Sequence, residues 1–402
     1  MEKVYVIGAR RTPIGSFLGS LSSLHPKVYA AKVVDTLIHE LQLNKDDINE
    51  LIVGNVLPAG LGHGLARQIS RGANLADHVP AYGVNMVCGS GMKSVMTAFT
   101  QIAAGMSDLI IAGGVESMSR APYLVDASAR TGVKLGGPAL QDHLLVDGLM
   151  DAFDDIHMGI TAENIAEKYG ITRDAQDDFA WASQVKAIHA VDAGRFDDEI
   201  VPIELTVKKE TRLFNKDEYP NRTSSREKLS QLRPAFKEGG TVTAGNSSGI
   251  NDGASFLVLA SESYVKKHGL KPLVEIIGIG QAGVDPLYMG LGPTPAIENA
   301  LNHAKLTLSD IDLLELNEAF AAQALGVVHE LVEKHGVSKE ALLEKTNVNG
   351  GAIALGHPLG ASGNRITVTL IHEMIKQNKP LGLASLCIGG GMGTALVVRR
   401  PS

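Results

Sequence analysis

Short apolar runs alternate along the chain with longer segments in which apolar positions recur every three or four residues. The continuous runs at 4–7, 51–53 and 109–112 are typical of buried strands. The segments 30–41 and 92–102 carry their apolar residues at helical spacing. Strands that alternate with helices are typical of α/β folds whose sheet is covered on both faces. The pattern therefore predicts an α/β protein with a largely parallel, buried sheet.

The same order of elements returns near the end of the chain. Residues 308–317 resemble residues 45–55: Asn317 matches Asn55 at an offset of 262 residues, and the segment keeps this register to within one residue. In each half a turn of small residues then opens a helix, and a later strand ends in a glycine pair. The turns are 89–91 and 360–363, and the pairs are 113–114 and 389–390. We interpret this long period as a duplication of two similar α/β halves.

The composition narrows the class of protein. The chain has 402 residues, of which 44% are hydrophobic and only 4% aromatic, so it can bury a large core of aliphatic side chains. No apolar run reaches the roughly 18 residues of a membrane span, and the amino terminus lacks a signal-peptide pattern. The net charge of −7 argues against a general nucleic-acid binder. We therefore expect a cytoplasmic enzyme that binds neither nucleic acid nor membrane.

Residues 120–245 differ from both halves, because they hold few long apolar runs and many charges. Between Lys208 and Lys237 there are nine Lys or Arg residues against four Asp or Glu. This local excess of positive charge is compatible with a phosphate-bearing ligand. An ordinary solvated loop face is the simpler explanation of the charge count taken alone.

Only two cysteines occur, Cys88 and Cys387, which is too few for a disulfide framework. Most single cysteines are buried apolar residues. Cys88, however, lies between an apolar segment and the Gly89-Ser90-Gly91 turn that opens the helix at 92–102. A thiol at a helix start lies near unpaired N–H groups and the positive end of the helix dipole, which favours the thiolate. We predict that Cys88 is a nucleophile that carries an acyl group as a thioester.

Three further residues could complete such a site. His357 lies in the turn that matches the Cys88 turn in the duplicate, so the two could face each other across one cleft. Cys387 ends a strand and precedes glycines 389–391; a strand, not a helix, follows them, so their N–H groups suit an oxyanion better than a dinucleotide. Asn317 follows a buried strand, where it could orient a water or a carbonyl, or simply cap a helix.

Together these motifs resemble the thiolase family over essentially the whole chain. The matching segments, in the same order and spacing, are Ala9-Arg10-Arg11-Thr12-Pro13 with Gly15, the Cys88 turn, Asn317-Glu318-Ala319-Phe320, Gly356-His357-Pro358 and Cys387-Ile388-Gly389-Gly390-Gly391. Each motif alone is weak evidence. Their joint occurrence is very improbable by chance.

The resemblance implies a fold and an assembly. Two duplicated α/β halves would pack as a layered αβαβα core with an inserted loop domain. The implied boundaries are 1–119 for the first half, 120–247 for the loop domain, 248–274 for a return to the first half and 275–402 for the second half. The resemblance further implies a homotetramer, a dimer of dimers, with residues 120–146 as a candidate contact between dimers, and a place in fatty acid metabolism.

The resemblance also assigns roles. Cys88 would take the acyl group from an acyl-CoA, after which a second acetyl-CoA or free CoA attacks it. His357 would activate Cys88 and, with a water held by Asn317, stabilise the enolate oxygen. Cys387 would move the proton at the α-carbon. The backbone N–H groups of Cys88 and Gly389 would form the other oxyanion hole.

The implied substrate pocket lies mainly in the middle segment. The residues that match it are Leu149, His157, Met158, Arg222, Ala244 and Ser248, with Met289 and Phe320 at the acyl end. Bulky Met158 and Met289 would keep the pocket short, which favours acetyl-CoA and acetoacetyl-CoA. No cofactor is implied, since the coenzyme A thioester is itself the substrate.

The leading hypothesis is an acetyl-CoA C-acetyltransferase. A 3-ketoacyl-CoA thiolase of broader chain length is the nearest alternative. A ketoacyl synthase of the related fold is disfavoured, because that group uses a second histidine where this chain has Asn317. A non-catalytic acyl-CoA-binding relative is the alternative from another class, and the intact Cys88, His357 and Cys387 argue against it.

Overall fold

A computed structural model describes residues 2–207 and 210–401. The strands are β1 Val4–Arg11, β2 Gly15–Ser16, β3 Glu50–Gly54, β4 Ala81–Val84, β5 Leu109–Ser117, β6 Tyr123–Val125, β7 Leu140–Asp142, β8 Ile203–Val207, β9 Glu210–Phe214, β10 Asn251–Ser261, β11 Val274–Gly283, β12 Leu313–Leu316, β13 Leu381–Ile388 and β14 Met392–Arg399. The helices are α1 Pro26–Glu40, α2 Leu65–Gly72, α3 Ser90–Ala103, α4 Met158–Tyr169, α5 Arg173–Asp192, α6 Arg226–Ser230, α7 Glu262–His268, α8 Pro293–Ala304, α9 Ala321–His335, α10 Lys339–Glu344, α11 Ala352–Leu355 and α12 Leu359–Lys376. Short 3-10 turns lie at Lys45–Asp47, Met118–Arg120, Ala127–Thr131, Pro286–Leu291 and Leu308–Asp310, and a π-helical turn at Leu145–Leu149.

The predicted strands and helices of the first half are confirmed. The apolar runs lie within β1, β3 and β5, and the helical segments lie within α1 and α3, except that Leu41 only caps α1. One prediction of detail is wrong: the pair Gly113–Gly114 does not end its strand, because β5 continues to Ser117. The corresponding β13 does end immediately before its glycines.

The main sheet has ten strands in the order β12-β13-β14-β11-β1-β10-β5-β3-β4, with β2 on β10. The prediction of a largely parallel sheet is wrong. Among the ladders of the described residues, only β3–β4, β3–β5 and β12–β13 are parallel. β10 and β14 pair antiparallel with β5 and β13. A short turn joins β13 to β14, whereas the whole middle segment lies between β5 and β10. Buried strands of either orientation show the same continuous apolar pattern, so periodicity could not separate them.

The strand pairing shows the duplication directly. The first half runs β4-β3-β5-β10-β1, and the second repeats it as a bridge at Thr346, then β12-β13-β14-β11, with the same parallel and antiparallel sense at each step. Leu51 pairs with Ile111 in the first half as Leu314 pairs with Leu383 in the second. The offsets are thus 263 residues from Leu51 to Leu314 and 272 from Ile111 to Leu383. The match of Asn55 to Asn317 is therefore one residue out of register, and Asn317 corresponds to Gly54.

The predicted αβαβα layers are confirmed. Helices α3 and α12 lie side by side in the central layer, and the apolar cluster around Met92, Val95, Ile366 and Leu370 joins them to the inner faces of both half-sheets. Helices α1 and α2 cover the outer face of one half, and α8 and α9 cover that of the other. Antiparallel pairing of β1 with β11 continues the sheet from one half to the other.

Glycine allows the two central helices to meet at their starts. A Cβ on Gly91 would lie 2.7 Å from the carbonyl oxygen of Gly360, and a Cβ on Gly363 would lie 2.8 Å from the backbone nitrogen of Met92. Both distances are too short for a side chain. The close approach brings the Cys88 turn and the His357 turn together.

The described part of the middle segment forms three helices, α4, α5 and the short α6, and two small hairpins, β6–β7 and β8–β9, before the chain re-enters the sheet as β10. The predicted domain boundaries at 119, 247 and 274 stay a prediction. Within residues 2–207 and 210–401 no helix combines the length and the apolar character needed to span a membrane.

Candidate active site

A cavity of about 490 Å³ opens where the two central helices meet the middle segment. Cys88, His357, Cys387 and Gly389 all line it. So do seven of the predicted pocket residues: Leu149, His157, Met158, Ala244, Ser248, Met289 and Phe320. The structure therefore brings together, around one cavity, residues that are as far apart as 88 and 389 in the chain.

The turn that carries Cys88 is tightly fixed and strained. Val87 has a φ of 46°, a left-handed conformation that is unfavourable for a β-branched residue. The hydroxyl of Ser90 holds the turn, because its Oγ accepts from the N–H of Met86 at 2.8 Å and donates to the carbonyl of Val87 at 2.6 Å. Gly89 then begins α3 without a side-chain cap. Cys88 is thus held in place by a backbone that several contacts fix.

Burial dominates the electrostatics of Cys88. It raises the pKa of the thiol to about 11, although the N–H of Gly389 and the residue's own N–H lower it. Loss of hydration thus outweighs the effect of the helix start, which by itself favours the thiolate, and Cys88 is protonated in the free protein. To react as a nucleophile, Cys88 would need a neighbouring base. The contact from the Gly389 N–H nevertheless places that donor beside the reacting sulfur.

His357 is suited to act as that base. Its backbone N–H donates to Asn251 Oδ1 at 2.9 Å, and its Nδ1 lies 2.5 Å from Ser362 Oγ. The Ser362 hydroxyl donates its one proton to the carbonyl of Pro358 at 2.9 Å, so it accepts from Nδ1–H. The unprotonated nitrogen is then Nε2, which has no hydrogen-bond partner in the described parts of the chain. Burial, with Arg365, lowers the pKa of His357 to about 4 and keeps it neutral.

Cys387 is the penultimate residue of β13, lies at the wall of the cavity and is buried. Burial raises its pKa well above the ordinary value for a thiol, and the neighbouring Cys88 adds to the effect. The turn that follows requires glycine: Gly390 and Gly391 have φ values of 83° and 82°, and a Cβ on Gly391 would collide with the carbonyl oxygen of Val284. This turn fixes the N–H of Gly389.

Asn317 does not line the cavity. Its side chain is 1% exposed, and neither its Oδ1 nor its Nδ2 has a hydrogen-bond partner among residues 2–207 and 210–401. It is also not a helix cap, because α9 begins four residues later. A buried amide without a protein partner is suited to hold a water.

The acyl end of the cavity is closed by apolar side chains. Met158, Met289 and Phe320 pack with Cys387 in a single buried cluster. His157 caps α4 by accepting from the N–H of Gly159 at 3.0 Å, and its ring stacks on Phe236 at 4.5 Å. Burial lowers the pKa of His157, so this ring is a neutral wall of the cavity.

Arg222 is the predicted binding residue that the structure places elsewhere. It pairs with Asp192 through two bonds of 2.6 and 3.0 Å on the surface. It lines a neighbouring cavity of about 890 Å³, which shares Ser16, Tyr219 and Ala244 with the first. The distance of Arg222 from the thiols follows from α5, since Asp192 at its end fixes the guanidinium.

Part of the basic stretch between 208 and 237 is paired with acidic side chains. Arg226 contacts Asp174 and Asp178, and Lys237 contacts Glu167. Lys208 and Lys209 lie outside the described residues. The solvated-loop interpretation of the charge count is thus the better one for these side chains.

Sequence reasoning missed several residues that build the site. Phe236 lines the cavity. It could have been noticed in the sequence as a single aromatic residue in a charged segment of a chain with few aromatic residues. Ser362 belongs to the turn 360–363 that the sequence analysis identified. Its contact with His357 forms only because this turn becomes the first turn of α12. Asn251 begins β10 and gave no signal. No cluster of three or more potential metal ligands occurs in the part of the chain that the structure describes.

Comparisons with known proteins agree with this geometry. The family models described as "Thiolase, N-terminal domain" and "Thiolase, C-terminal domain" match residues 4–263 and 270–400. An acetyl-CoA acetyltransferase of Escherichia coli (strain K12) is 51% identical over 400 residues, which cover all of both chains. The solved structure of an acetyl-CoA acetyltransferase from Syntrophomonas wolfei is 43% identical, covers all of both chains and superposes with a TM-score of 0.96. Human mitochondrial 3-ketoacyl-CoA thiolase is 40% identical, with a TM-score of 0.94 over 100% of this chain and 99% of its own.

Proposed function

This chain belongs to the thiolase family, and from that premise we propose that it is an acetyl-CoA C-acetyltransferase, which condenses two acetyl-CoA molecules reversibly to acetoacetyl-CoA and CoA. One observation carries the proposal: two thiols, the N–H of Gly389 and a neutral histidine, whose Nε2 has no partner among the described residues, surround a single cavity. The full-length likeness to acetyl-CoA acetyltransferases supports the choice of substrate.

The first half-reaction loads the acyl group. His357 Nε2 takes the proton of Cys88 as the sulfur attacks the thioester carbonyl of acetyl-CoA, so the raised pKa of the thiol is overcome at the moment of attack. The carbonyl oxygen becomes negative and accepts from the N–H groups of Cys88 and Gly389. The C–S bond to CoA then breaks. His357 returns the proton to the leaving CoA sulfur, which gives free CoA and an acetyl thioester on Cys88.

The second half-reaction forms the carbon–carbon bond. His357 takes the proton of Cys387, and the resulting thiolate takes a proton from the methyl carbon of the second acetyl-CoA. The protonated His357, with a water on Asn317, stabilises the enolate oxygen. The enolate carbon attacks the acetyl thioester, acetoacetyl-CoA leaves, and Cys88 departs as a thiolate. Transfer of the proton from His357 to Cys88 restores the enzyme, and Cys387 keeps the proton that it took from the methyl carbon. A thiol of raised pKa suits a weakly acidic carbon, because proton transfer is most efficient between groups of similar pKa.

The whole cycle uses side chains and backbone donors of this chain, and we propose that it needs no cofactor beyond the CoA thioester itself. Leu149, His157, Ala244 and Ser248 would contact the pantetheine end of CoA along the cavity. Arg222 would contact CoA only if the nucleotide reached the neighbouring cavity. A cytoplasmic location and a place in fatty acid metabolism stay predictions.

The direct test of the function is a rate series. Purified protein is assayed in thiolysis with 3-ketoacyl-CoA substrates of four, six, eight and twelve carbons, and Cys88 is examined by mass spectrometry after incubation with acetyl-CoA. The proposal expects the highest kcat/KM at four carbons and an acetyl group on Cys88. A maximum at longer chains would favour a 3-ketoacyl-CoA thiolase of broader range. Binding without any acyl-enzyme would favour a non-catalytic relative.

We expect Met158 to limit the chain length. The substitution Met158→Ala removes a side chain that is 8% exposed and packs against Cys387, so it lengthens the acyl end of the cavity. The kcat/KM ratio of six-carbon to four-carbon substrate should rise about tenfold, the discrimination typical of one or two methylenes. Met374→Ala is the control, because Met374 is buried in the central layer away from the cavity. An unchanged ratio in Met158→Ala would contradict the assignment.

We also propose a homotetramer with the β6–β7 hairpin as a contact. Its apolar side chains are unusually exposed: Leu135 is 96% exposed, Tyr123 66% and Leu140 63%. Such a patch marks an interaction surface. Light scattering should give the mass of a tetramer, and Leu135→Asp with Tyr123→Ser should give active dimers. A stable, active monomer of the unaltered protein would contradict the proposal.

A further inference from the structure

Glu116 is a buried carboxylate that the reaction described above does not use. It lies near the end of the apolar strand β5, one residue before Ser117, is fully buried and receives four N–H donors. Its Oε1 accepts from Asn55 Nδ2 at 2.8 Å and from the N–H of Leu57 at 3.1 Å. Its Oε2 accepts from the N–H of Val56 at 3.0 Å and from the N–H of Gly360 at 2.8 Å. Every partner donates, so the site is built for the ionised carboxylate.

The duplication shows what is unusual about this contact. At the offset of 272 residues, Gly360 of the second half is equivalent to Cys88 of the first half. Ile388 of the second half is likewise equivalent to Glu116 of the first half. Ile388 packs its apolar side chain against Gly89, at the start of α3. The carboxylate of Glu116 instead accepts a hydrogen bond from the backbone N–H of Gly360, at the start of α12. One helix start is therefore occupied by a carboxylate, and the equivalent start beside Cys88 is left without a side-chain cap.

The contact reaches His357 through a short and crowded path. Gly360 follows His357 by three residues, and Leu359 between them lines the cavity. A Cβ on Gly360 would lie 2.8 Å from Glu116 Oε2 and 2.9 Å from Asn55 Cα. The backbone of Gly360 therefore packs directly against the carboxylate, with no room for a side chain. On the other side of Glu116, Val56 and Leu57 belong to the apolar cluster that packs against Cys88.

We propose that Glu116 is a positioning residue that sets the place of His357 relative to Cys88, by tying the start of α12 to the loop at residues 55–57. The proposal rests on the proposed function, since it concerns the base of that reaction. Glu116 touches no substrate. Its effect is carried by the backbone of Gly360 to the imidazole.

Other groups around Glu116 supply the control. Tyr29 is buried on α1 and donates from its hydroxyl to the backbone carbonyl of Glu116 at 2.9 Å. Asp252 on β10 is the nearby carboxylate, and burial together with Asp252 raises the pKa of Glu116 to about 7. Assays at pH 8 or above therefore keep the carboxylate of Glu116 ionised. Tyr29→Phe removes a hydrogen bond to the same residue without disturbing the carboxylate.

The experiment is a double-mutant cycle with a single-turnover readout. Glu116→Gln keeps the shape but turns an amide N–H toward backbone donors. It should lower the rate of Cys88 acetylation and the kcat of thiolysis by about tenfold to a hundredfold, with KM for acetoacetyl-CoA within about twofold, because small misplacement of a reacting group costs this much. In a His357→Ala background the same change should lower the acetylation rate by less than about twofold, since the residue it positions is gone. Tyr29→Phe should leave kcat unchanged.

Three results would overturn the proposal: an unchanged acetylation rate in Glu116→Gln, an equal loss in both backgrounds, or an equal loss in Tyr29→Phe. If Glu116→Gln fails to fold, Glu116→Asp replaces it, because it keeps the charge but withdraws it from Gly360, and it is held to the same outcomes. Absence of acetylation in the unaltered protein would count against the proposed function. A normal rate there with no effect of Glu116→Gln would count against the positioning role alone.

Discussion

Replacing Cys88 by alanine should abolish thiolysis and condensation together. The substitution removes the atom that forms the covalent intermediate, so kcat in both directions should fall by about ten-thousand-fold or more, as for other covalent nucleophiles. The measurement is the initial rate in each direction, with intact-protein mass spectrometry after incubation with acetyl-CoA. Cys88 is partly buried, and the turn around it is held by Ser90, so the variant should keep its fold.

The matched control is Ser94→Ala, which alters a buried hydroxyl one turn further along α3 and away from the cavity. It should lose some stability and keep its acetylation. Appearance of an acetyl group on another residue of Cys88→Ala, with turnover retained, would contradict the assignment of the nucleophile.

Replacing Cys387 by alanine should separate the two half-reactions. Cys88, His357 and Gly389 remain in place, so acetylation of Cys88 should stay within about threefold of the unaltered rate. Condensation should fall by about a thousandfold, within the range that general acid–base groups contribute. The measurement is stopped-flow acetylation followed by the appearance of acetoacetyl-CoA under an excess of acetyl-CoA.

An equal loss of acetylation in Cys88→Ala and Cys387→Ala would contradict this division of roles. The melting temperature of both variants is measured as well. Cys387 is buried in the cluster with Met158 and Phe320, so its truncation leaves a small cavity there. A change in melting temperature without a change in acetylation would leave the division intact.

Local pattern was sufficient for much of the fold. The apolar runs and helical spacings of the first half lie where β1, β3, β5, α1 and α3 occur, and the resemblance between residues 45–55 and 308–317 is a true structural repeat. Strand direction was not predictable in this way. A strand buried on both faces has no polar side to mark its partner, so β10 and β14 were not recognised as antiparallel returns.

The site shows the same division between local and tertiary information. That Cys88 and His357 would share a cleft followed from the repeat, because equivalent turns meet at a pseudo-twofold axis. The protonation of Cys88 could not be predicted, since it depends on the walls that α4 and β13 add around the helix start. The position of Arg222 outside the cavity has a related cause: its partner Asp192 lies 30 residues earlier, at the end of α5.

The interface between the two halves behaves like that of a homodimer whose subunits have been joined into one chain. In a symmetric dimer each surface residue must serve both copies, so a thiol at a helix start would appear twice. Joining the copies removes that constraint. Position 88 could keep its thiol while the equivalent position 360 became glycine, and the base could be retained on one side only, at His357. Asymmetric chemistry thereby became available to a symmetric architecture, at the cost that neither half can act without the other.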